Sequence, residues 1–147
     1  MVHSVDSSIR AENWANQNVQ LNDAINHQFF CNDVFTFLKE TKSTYQVWVV
    51  DPPAFAKRLD AVRNAMIGYR NLNTAVFRKA SPGSIIFTFS CSQAVDALTF
   101  RKVIFQSAKE AQRQIKVLHI LSQPADHPVS VFHPEGEYLK GLVLYVE

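Results

Sequence analysis

Short apolar runs alternate with segments of helical periodicity along almost the whole chain, and this alternation limits the possible folds more than any other feature of the sequence. The runs of strand length are residues 2–5, 28–31, 45–50, 85–89 and 115–121. Between them, apolar residues recur every three to four positions, as on the buried face of a helix. Strands that alternate with helices form parallel βαβ units, so we expect an α/β fold with a mostly parallel sheet.

Polar residues that can cap helices stand before the periodic segments. Ser7 or Ser8 can cap the first helix and Asn32-Asp33 the second, since their side-chain oxygens accept hydrogen bonds from the first free backbone N–H groups. The third helix is expected to be interrupted near Gly68, because glycine weakens a helix interior. The helices are predicted at about 8–23, 34–38, 58–79 and 97–111.

The last connection differs from the others because it is polar, contains Pro124 and Pro128, and shows no helical periodicity. It leads to a final apolar strand at 138–146. Two strands joined without a helix are expected to pair in antiparallel fashion. The sheet should therefore end in an antiparallel C-terminal hairpin at its edge.

Composition places this fold in a single, nearly neutral domain. The 147 residues and 47% hydrophobic content suit one core, so residues 1–147 are expected to form one unit. Lys+Arg outnumber Asp+Glu only by 15 to 13, which is too even to argue for nucleic acid. Two cysteines without a CxxC pair favour a reducing compartment, so the cytoplasm is expected. No apolar run approaches the roughly 18 residues of a membrane span.

The third predicted strand is bulky on both faces, as expected for a central parallel strand that helices cover on both sides. It ends at Asp51-Pro52-Pro53. The proline rings fix φ and remove two backbone N–H donors, so the loop after the strand is rigid. Ligands of open α/β sheets bind at the carboxyl ends of strands, where a rigid loop can hold a side chain against a flat substrate. An ordinary turn is the alternative.

Three other predicted strand ends carry acidic or reactive residues. Asp6 can accept hydrogen bonds from both hydroxyl groups of a ribose, although Asp6 and Asp33 can equally be helix caps. Cys91 stands just before a predicted helix, whose N-terminal dipole would favour a nucleophilic thiolate; inert packing is the alternative. Cys31 is predicted to lie in the core, because the neighbouring Asn32-Asp33 would disfavour its thiolate.

A metal site is not expected. Histidine and acidic side chains do gather at His127, His133, Glu135 and Glu137. Their spacing matches neither HxxxH nor CxxC, the patterns that bring ligands to one side of a helix or turn. A rigid loop beside the strand ends is the better interpretation of this segment.

Seven stretches stand in a characteristic order and spacing: VHSVDSS, CNDVFTFL, VVDPPAFAK, GYRNLN, SPGSIIFTFSCS, QPADHPV and PEGEYLKGLVL. Together they resemble the class I S-adenosylmethionine (SAM) dependent methyltransferases, and most closely the large-subunit ribosomal RNA cytosine-5 methyltransferases. The resemblance covers essentially the whole chain. It implies a Rossmann-like three-layer sandwich, SAM as cofactor and ribosomal RNA as partner.

The resemblance also implies which residues hold the cofactor. Asp6 with Ser7 would bind the ribose of SAM, and Asp33 with Val34 would contact the adenine. Asp51-Pro52 would face the methionine part. All of these residues follow predicted strands or open predicted helices.

For the substrate, the resemblance implies that Cys91 attacks C6 of a cytosine and thereby makes C5 nucleophilic. Asp51 would stabilise the adduct, Pro53 and Phe55 would shape the base pocket, and the base that removes the C5 proton is not assigned. Basic residues that can contact RNA phosphates, or else form ordinary solvated surface, are Lys57, Arg58, Arg63, Arg70 and Lys140.

One departure from the family concerns the methionine end of SAM. In the family, a first strand and a glycine-containing loop precede the strand that corresponds to residues 2–5. None of the four glycines here forms such a loop after an early strand. We therefore expect an incomplete C-terminal fragment with impaired SAM binding. The family's strand order, 3-2-1-4-5-7-6, would leave strands 2 and 4 facing a gap, which direct pairing, a homodimer or exchange of elements would close.

Two other functions fit the same residues. A methyltransferase that acts on a base nitrogen would also use an Asp-Pro-Pro-aromatic loop, and Cys91 distinguishes it from a cytosine-5 enzyme. A non-catalytic remnant that oligomerises or binds RNA would keep the fold without turnover.

Overall fold

The structure is a computed structural model that describes residues 1–56 and 62–147. Its strands are β1 (Val2–Asp6), β2 (His27–Cys31), β3 (Val47–Val50), β4 (Ile85–Ser90), β5 (Ile115–Leu121) and β6 (Lys140–Val146). Its helices are α1 (Ile9–Leu21), α2 (Val34–Glu40), α3 (Val62–Lys79) and α4 (Ala97–Ala111), with a short 3-10 helix at Pro134–Gly136. The chain forms two compact units, Met1–Ser43 and Thr44–Glu147.

The first unit contains one parallel strand pair and two capped helices. β1 and β2 pair in register from Val2 opposite His27 to Asp6 opposite Cys31, so both strands end at the same edge. Ser8 caps α1, because its Oγ accepts a hydrogen bond from the N–H of Ala11 over 3.3 Å. The parallel pairing and the cap agree with the sequence predictions.

The second unit contains a four-stranded sheet in the order β3-β4-β6-β5. β3 and β4 are parallel, whereas β6 runs antiparallel to both β4 and β5. The predicted antiparallel hairpin of β5 and β6 is therefore present, and β5 rather than the last strand lies at the edge. Gly141 of β6 faces Phe89 of β4, and a Cβ on this glycine would lie 2.8 Å from the phenyl ring. Only glycine fits at that position without displacing the ring.

The core of the second unit lies between the sheet and helices α3 and α4. Tyr69 and Phe100, one from each helix, are fully buried and their rings meet edge to face at 5.7 Å. Asn73 links helix to sheet: its Oδ1 accepts from Thr88 Oγ1 over 2.8 Å, and its Nδ2 donates to the carbonyl of Tyr69 over 2.8 Å. These bonds satisfy polar groups that would be costly to bury alone.

Two expectations about this unit are wrong. Helix α3 continues through Gly68, where a Cβ would lie 3.2 Å from the ring of Phe55. The glycine therefore allows a close contact rather than a break. Strand β3 is not covered on both faces within the described residues, because Val47 and Val49 are 58% and 70% exposed and only Val50 is buried.

Helix α4 begins at a carboxylate cap that offers a direct stability test. The N–H of Thr99 donates to Asp96 Oδ1 over 2.6 Å, and bonds with Thr99 hold the pKa of this carboxyl below its usual value. A pKa lower in the folded than in the unfolded chain stabilises above the unfolded value, and the gain is lost as the pH falls through the lowered value. Asp96→Ala should cost about 1 kcal/mol of unfolding free energy at pH 7, measured by urea denaturation, and progressively less in acid.

Asp96→Asn is the matched control for this prediction. The amide oxygen can still accept the hydrogen bond at the cap, but it does not titrate. We expect the asparagine variant to keep most of the stability at pH 7 and to lose the acid dependence. Equal losses in both variants at every pH would contradict the charge-dependent cap.

Among the described residues, no helix combines the length and the apolar character that crossing a membrane would require.

Candidate active site

The Asp51-Pro52-Pro53 loop and Cys91 meet at one edge of the second unit's sheet. The loop follows β3 and Cys91 follows β4, and the two strands are neighbouring and parallel. The Cys91 sulfur lies 3.8 Å from the carbonyl oxygen of Pro52, to which the thiol donates. Pro52 is buried, Cys91 is half-buried, and Asp51 and Pro53 are exposed. The structure thus brings together the two features that were predicted separately.

Ser92 fixes this arrangement from inside the unit. Its side chain is fully buried, and its Oγ accepts a hydrogen bond from the N–H of Ala56 over 3.1 Å. The same Oγ lies 2.8 Å from the hydroxyl oxygen of Tyr69 on α3. Ser92 therefore holds the end of the Asp51-Pro52-Pro53 loop beside the turn that carries Cys91.

Phe55 stands at the far end of the loop with one side packed and one side open. Its ring meets that of Tyr69 edge to face at a centroid distance of 4.7 Å, and it packs over Gly68. The side chain is still 38% exposed. A ring held in this way can offer a flat apolar surface to a planar ligand.

Lys140, at the start of β6, contacts the same turn. Its ammonium nitrogen donates to the carbonyls of Ser92 and Tyr138, each over 2.6 Å. Burial of the side chain lowers the pKa of Lys140 from its ordinary value, against the opposing attraction of nearby negative charges. An ammonium group directed at two internal carbonyls does not fit the predicted contact with an RNA phosphate.

The predicted activation of Cys91 by a helix N-terminus is wrong. Helix α4 begins at Ala97 with Asp96 as its cap, so several residues of turn separate the thiol from the helix. Any activation of this thiol must come from groups other than the helix dipole, which acts only within the first turn.

The remaining basic candidates are only partly described. Lys57 and Arg58 lie outside the described residues. Arg63 is exposed on α3. Arg70 Nε lies 3.6 Å from a carboxylate oxygen of Glu110, which leaves this guanidinium paired within the chain.

In the first unit, the two predicted cofactor acids also bond to the backbone where helices start: Asp33 caps α2, and Asp6 bonds to Ser8, the cap of α1. Asp6 Oδ1 accepts from the N–H of Ser8 over 2.7 Å, and Asp33 Oδ1 accepts from the N–H of Thr36 over 2.9 Å. Both side chains are exposed at the carboxyl edge of the parallel pair, and the Oδ2 of each makes no hydrogen bond with the described residues. These backbone bonds and ligand binding are therefore compatible, because each carboxylate keeps an open oxygen.

This edge suits the nucleoside part of SAM. Ribose hydroxyls need an acceptor such as the exposed oxygen of Asp6. In the strand register Asp6 lies opposite Cys31, the last residue of β2, and Asp33 follows Cys31 by two residues. Val34, the first residue of α2, is half-buried and can present an apolar surface to a flat ring. The residue types fit the ribose and adenine contacts that the resemblance implies.

Cys31 does not lie in the core, contrary to the prediction. The thiol is free and exposed, and it donates to the carbonyl of Ser7 over 3.7 Å. Local desolvation, followed by the negative charges of Glu12 and Asp6, raises the pKa of this thiol. A raised pKa disfavours the thiolate, so the surroundings of Cys31 do not favour it as a nucleophile.

The histidine-rich connection contains local pairs rather than a ligand cluster. His133 Nδ1 lies 3.2 Å from Glu135, and His127 Nδ1 lies 3.4 Å from Asp126. Within residues 1–56 and 62–147, no group of three or more His, Cys, Asp or Glu side chains is arranged to hold a metal ion.

Sequence reasoning missed the supporting roles of Ser92, Tyr69 and Lys140. Tyr69 lies within the helix predicted at 58–79. A hydroxyl on a buried helix face needs a hydrogen-bond partner, and that requirement was an available signal. Ser92 directly follows Cys91 and shares its turn. No local pattern indicates that Lys140 reaches the carbonyl of Ser92, which is 48 residues away in the sequence.

Comparison with known proteins places the chain beside methyltransferases. No protein-family profile matches it. It is 39% identical over 148 residues to a ribosomal RNA large subunit methyltransferase I from Aeromonas salmonicida (strain A449), and the alignment covers 97% of this chain. The chain spans 37% of the length of that relative.

Two solved structures have the same fold. One is described as a candidate SAM-dependent methyltransferase from Streptococcus mutans, with a TM-score of 0.82 and 22% identity over 99% of this chain and 39% of that chain. The other is a candidate methyltransferase complexed with SAH, with a TM-score of 0.81 and 24% identity over the same shares of the two chains. The predicted α/β fold of the Rossmann-like methyltransferase type is thereby confirmed.

Proposed function

We propose that residues 1–147 belong to the catalytic domain of a SAM-dependent methyltransferase that acts on large-subunit ribosomal RNA. The observation that carries this proposal is the meeting of the Cys91 thiol with the Asp51-Pro52-Pro53 loop at the carboxyl edge of a parallel sheet. The identity of 39% to a ribosomal RNA large subunit methyltransferase supports the substrate class. The SAH complex of a structure with the same fold supports the cofactor.

The proposed reaction is methylation of C5 of a cytosine through a covalent intermediate. The Cys91 sulfur forms a bond to C6, which moves electron density to C5 so that C5 can take the methyl group. Bound SAM would supply that methyl group and would leave as S-adenosylhomocysteine. A base then removes the C5 proton, the C6–S bond breaks, and the thiolate is restored.

For the cofactor, the proposal assigns a role to each residue that follows a strand. Asp6 with Ser7 binds the ribose of SAM, and Asp33 with Val34 contacts the adenine. Asp51-Pro52 faces the methionine part. The open carboxylate oxygens of Asp6 and Asp33 support these assignments.

For the substrate, the exposed faces of Pro53 and Phe55 contact the target base, and Lys57 contacts the RNA. Asp51 is exposed directly before Pro52, whose carbonyl the thiol contacts, and it stabilises the adduct by a hydrogen bond to the base. A cytosine within a helix or stacked loop must leave its stack to reach these groups. The protein acts in the cytoplasm, where the two free cysteines remain reduced.

Methylation followed by nucleoside analysis tests this function. The natural full-length protein is incubated with methyl-labelled SAM and unmethylated large-subunit ribosomal RNA, and the RNA is digested and analysed by mass spectrometry. We expect label in 5-methylcytidine. Label in a base-nitrogen product would favour the base-nitrogen alternative, which the same loop could serve.

A trap experiment tests the covalent step separately. RNA that carries 5-fluorocytosine cannot lose a C5 proton after methylation, so the C6–S bond should persist and join RNA to protein. Peptide mapping should locate the bond at Cys91. Absence of both product and adduct would favour a non-catalytic remnant, for which light scattering tests the predicted homodimer.

A further inference from the structure

Lys140 occupies an unusual position for a lysine. Its side chain is half-buried, and two of its three N–H donors point to the carbonyls of Ser92 and Tyr138, each at 2.6 Å. It forms no ion pair with a carboxylate among the described residues. Burying a cation with only neutral carbonyl partners costs stability, so its presence here calls for another partner of opposite charge.

The charges that face Lys140 come from three elements. Burial lowers the pKa of Lys140, and among the nearby groups a negative charge on Cys91, after β4, opposes that lowering most. Asp96 at the start of α4 and Glu137 in the connection before β6 oppose the lowering of this pKa to a smaller extent. The ammonium bonds to the carbonyl of Ser92, the residue that follows Cys91, so it lies at the turn that carries the sulfur. A cation near a thiol favours the negatively charged form of that thiol.

The backbone places Cys91 between two anchors. On one side, Ser90 pairs with Lys140 itself in the antiparallel ladder of β4 and β6. On the other side, the Lys140 ammonium binds the carbonyl of Ser92, whose hydroxyl is held by the N–H of Ala56. One residue of β6 thus contacts both neighbours of Cys91 in the sequence.

We propose that Lys140 is a positioning residue for Cys91, which ties the turn after β4 to the start of β6 and places a positive charge at the turn that carries the sulfur. The inference rests on the proposed function, in which this sulfur is the nucleophile. Lys140 does not touch the base or the methyl donor in this role. It acts by holding the sulfur against the Asp51-Pro52-Pro53 loop and by favouring its reactive, negatively charged form.

Alkylation of the thiol tests this role without SAM or RNA. The full chain is treated with iodoacetamide between pH 6 and pH 9.5, and the rates at Cys91 and Cys31 are read from separate peptides by mass spectrometry. We expect Lys140→Met to slow alkylation of Cys91 about three- to tenfold at pH 7.5 and to move its pH dependence to higher pH. Cys31, in the other unit, should react at an unchanged rate.

Two further variants separate charge from tether. Lys140→Arg keeps the positive charge and should restore at least about half of the wild-type rate, whereas Lys140→Gln keeps only a neutral donor and should behave like methionine. Lys140→Gln also replaces the methionine variant if circular dichroism shows that the latter is unfolded. Alkylation of Cys91 at the wild-type rate in Lys140→Met and Lys140→Gln would overturn the inference.

The readout distinguishes this inference from the proposed function. If Cys91 of the neutral variants is alkylated at the wild-type rate and the wild type forms 5-methylcytidine, the role of Lys140 is refuted and the proposed methyltransferase function is supported. If alkylation is slower in the neutral variants but the wild type does not methylate RNA, the role of Lys140 in positioning the thiol is supported and the proposed methyltransferase function is refuted.

Discussion

Cys91→Ala is expected to lower methyl transfer to large-subunit ribosomal RNA by about a thousandfold or more in the natural full-length protein, because removal of a nucleophile leaves only binding and positioning. The sulfur stands 3.8 Å from the carbonyl of Pro52 at the edge where the substrate loop begins. Initial rates with labelled SAM measure the effect. RNA binding should change little, since the alanine removes no charge-bearing phosphate contact.

Cys31→Ala is the matched control, because Cys31 is the other free cysteine of the chain and is exposed in the first unit. Its removal should leave the rate within about twofold of the wild type. If Cys91→Ala kept wild-type activity, the covalent cytosine mechanism would be abandoned. The base-nitrogen alternative, which needs no nucleophilic cysteine, would then become the better account.

Phe100→Ala is expected to cost about 3 to 5 kcal/mol of unfolding free energy, since a large buried ring leaves a cavity that its neighbours fill only in part. Phe100 is 1% exposed on α4, and its ring meets that of Tyr69 at 5.7 Å. Tyr69 in turn contacts Phe55 and Ser92. Urea denaturation measures the loss, and the loop that carries Phe55 should become more accessible to proteases.

Phe105→Ala is the control on the same helix. Phe105 is 70% exposed, so its truncation removes little buried surface and should change the unfolding free energy by less than about 0.5 kcal/mol. Similar losses of unfolding free energy in the two variants would show that the Phe100 face of α4 is not more deeply buried than the Phe105 face. A loss confined to Phe100 would identify the Tyr69 side of the helix as the core.

Most strands and helices were predictable because their signals are local. The alternation of apolar runs located β1 to β6, and the lack of a helix before the last run predicted its antiparallel pairing with β5. The error at Gly68 has a physical cause. Glycine weakens an isolated helix, but here it makes room for the ring of Phe55, and that contact depends on a loop outside the helix.

The candidate site was predictable only in part. The end of a strand marked Asp51 and Cys91, since ligands of parallel sheets bind at such ends. The prediction that the N-terminal dipole of α4 activates Cys91 was wrong, because the sequence gives no clear signal for the length of the turn before this helix. The exposure of Val47 and Val49 was missed for a similar reason: apolar composition shows that a strand can be buried, but not which faces its own unit covers.

The sequence by itself determined the order of the elements, the parallel and antiparallel pairings and the chemical identity of the groups at the strand ends. Periodicity, capping residues and prolines act over a few positions and are readable without a structure. Tertiary structure alone decided that Ser92 joins Ala56, 36 residues away, and that Lys140 reaches Ser92 across 48 residues. Such contacts depend on how separate elements pack, and no short pattern in the chain specifies them.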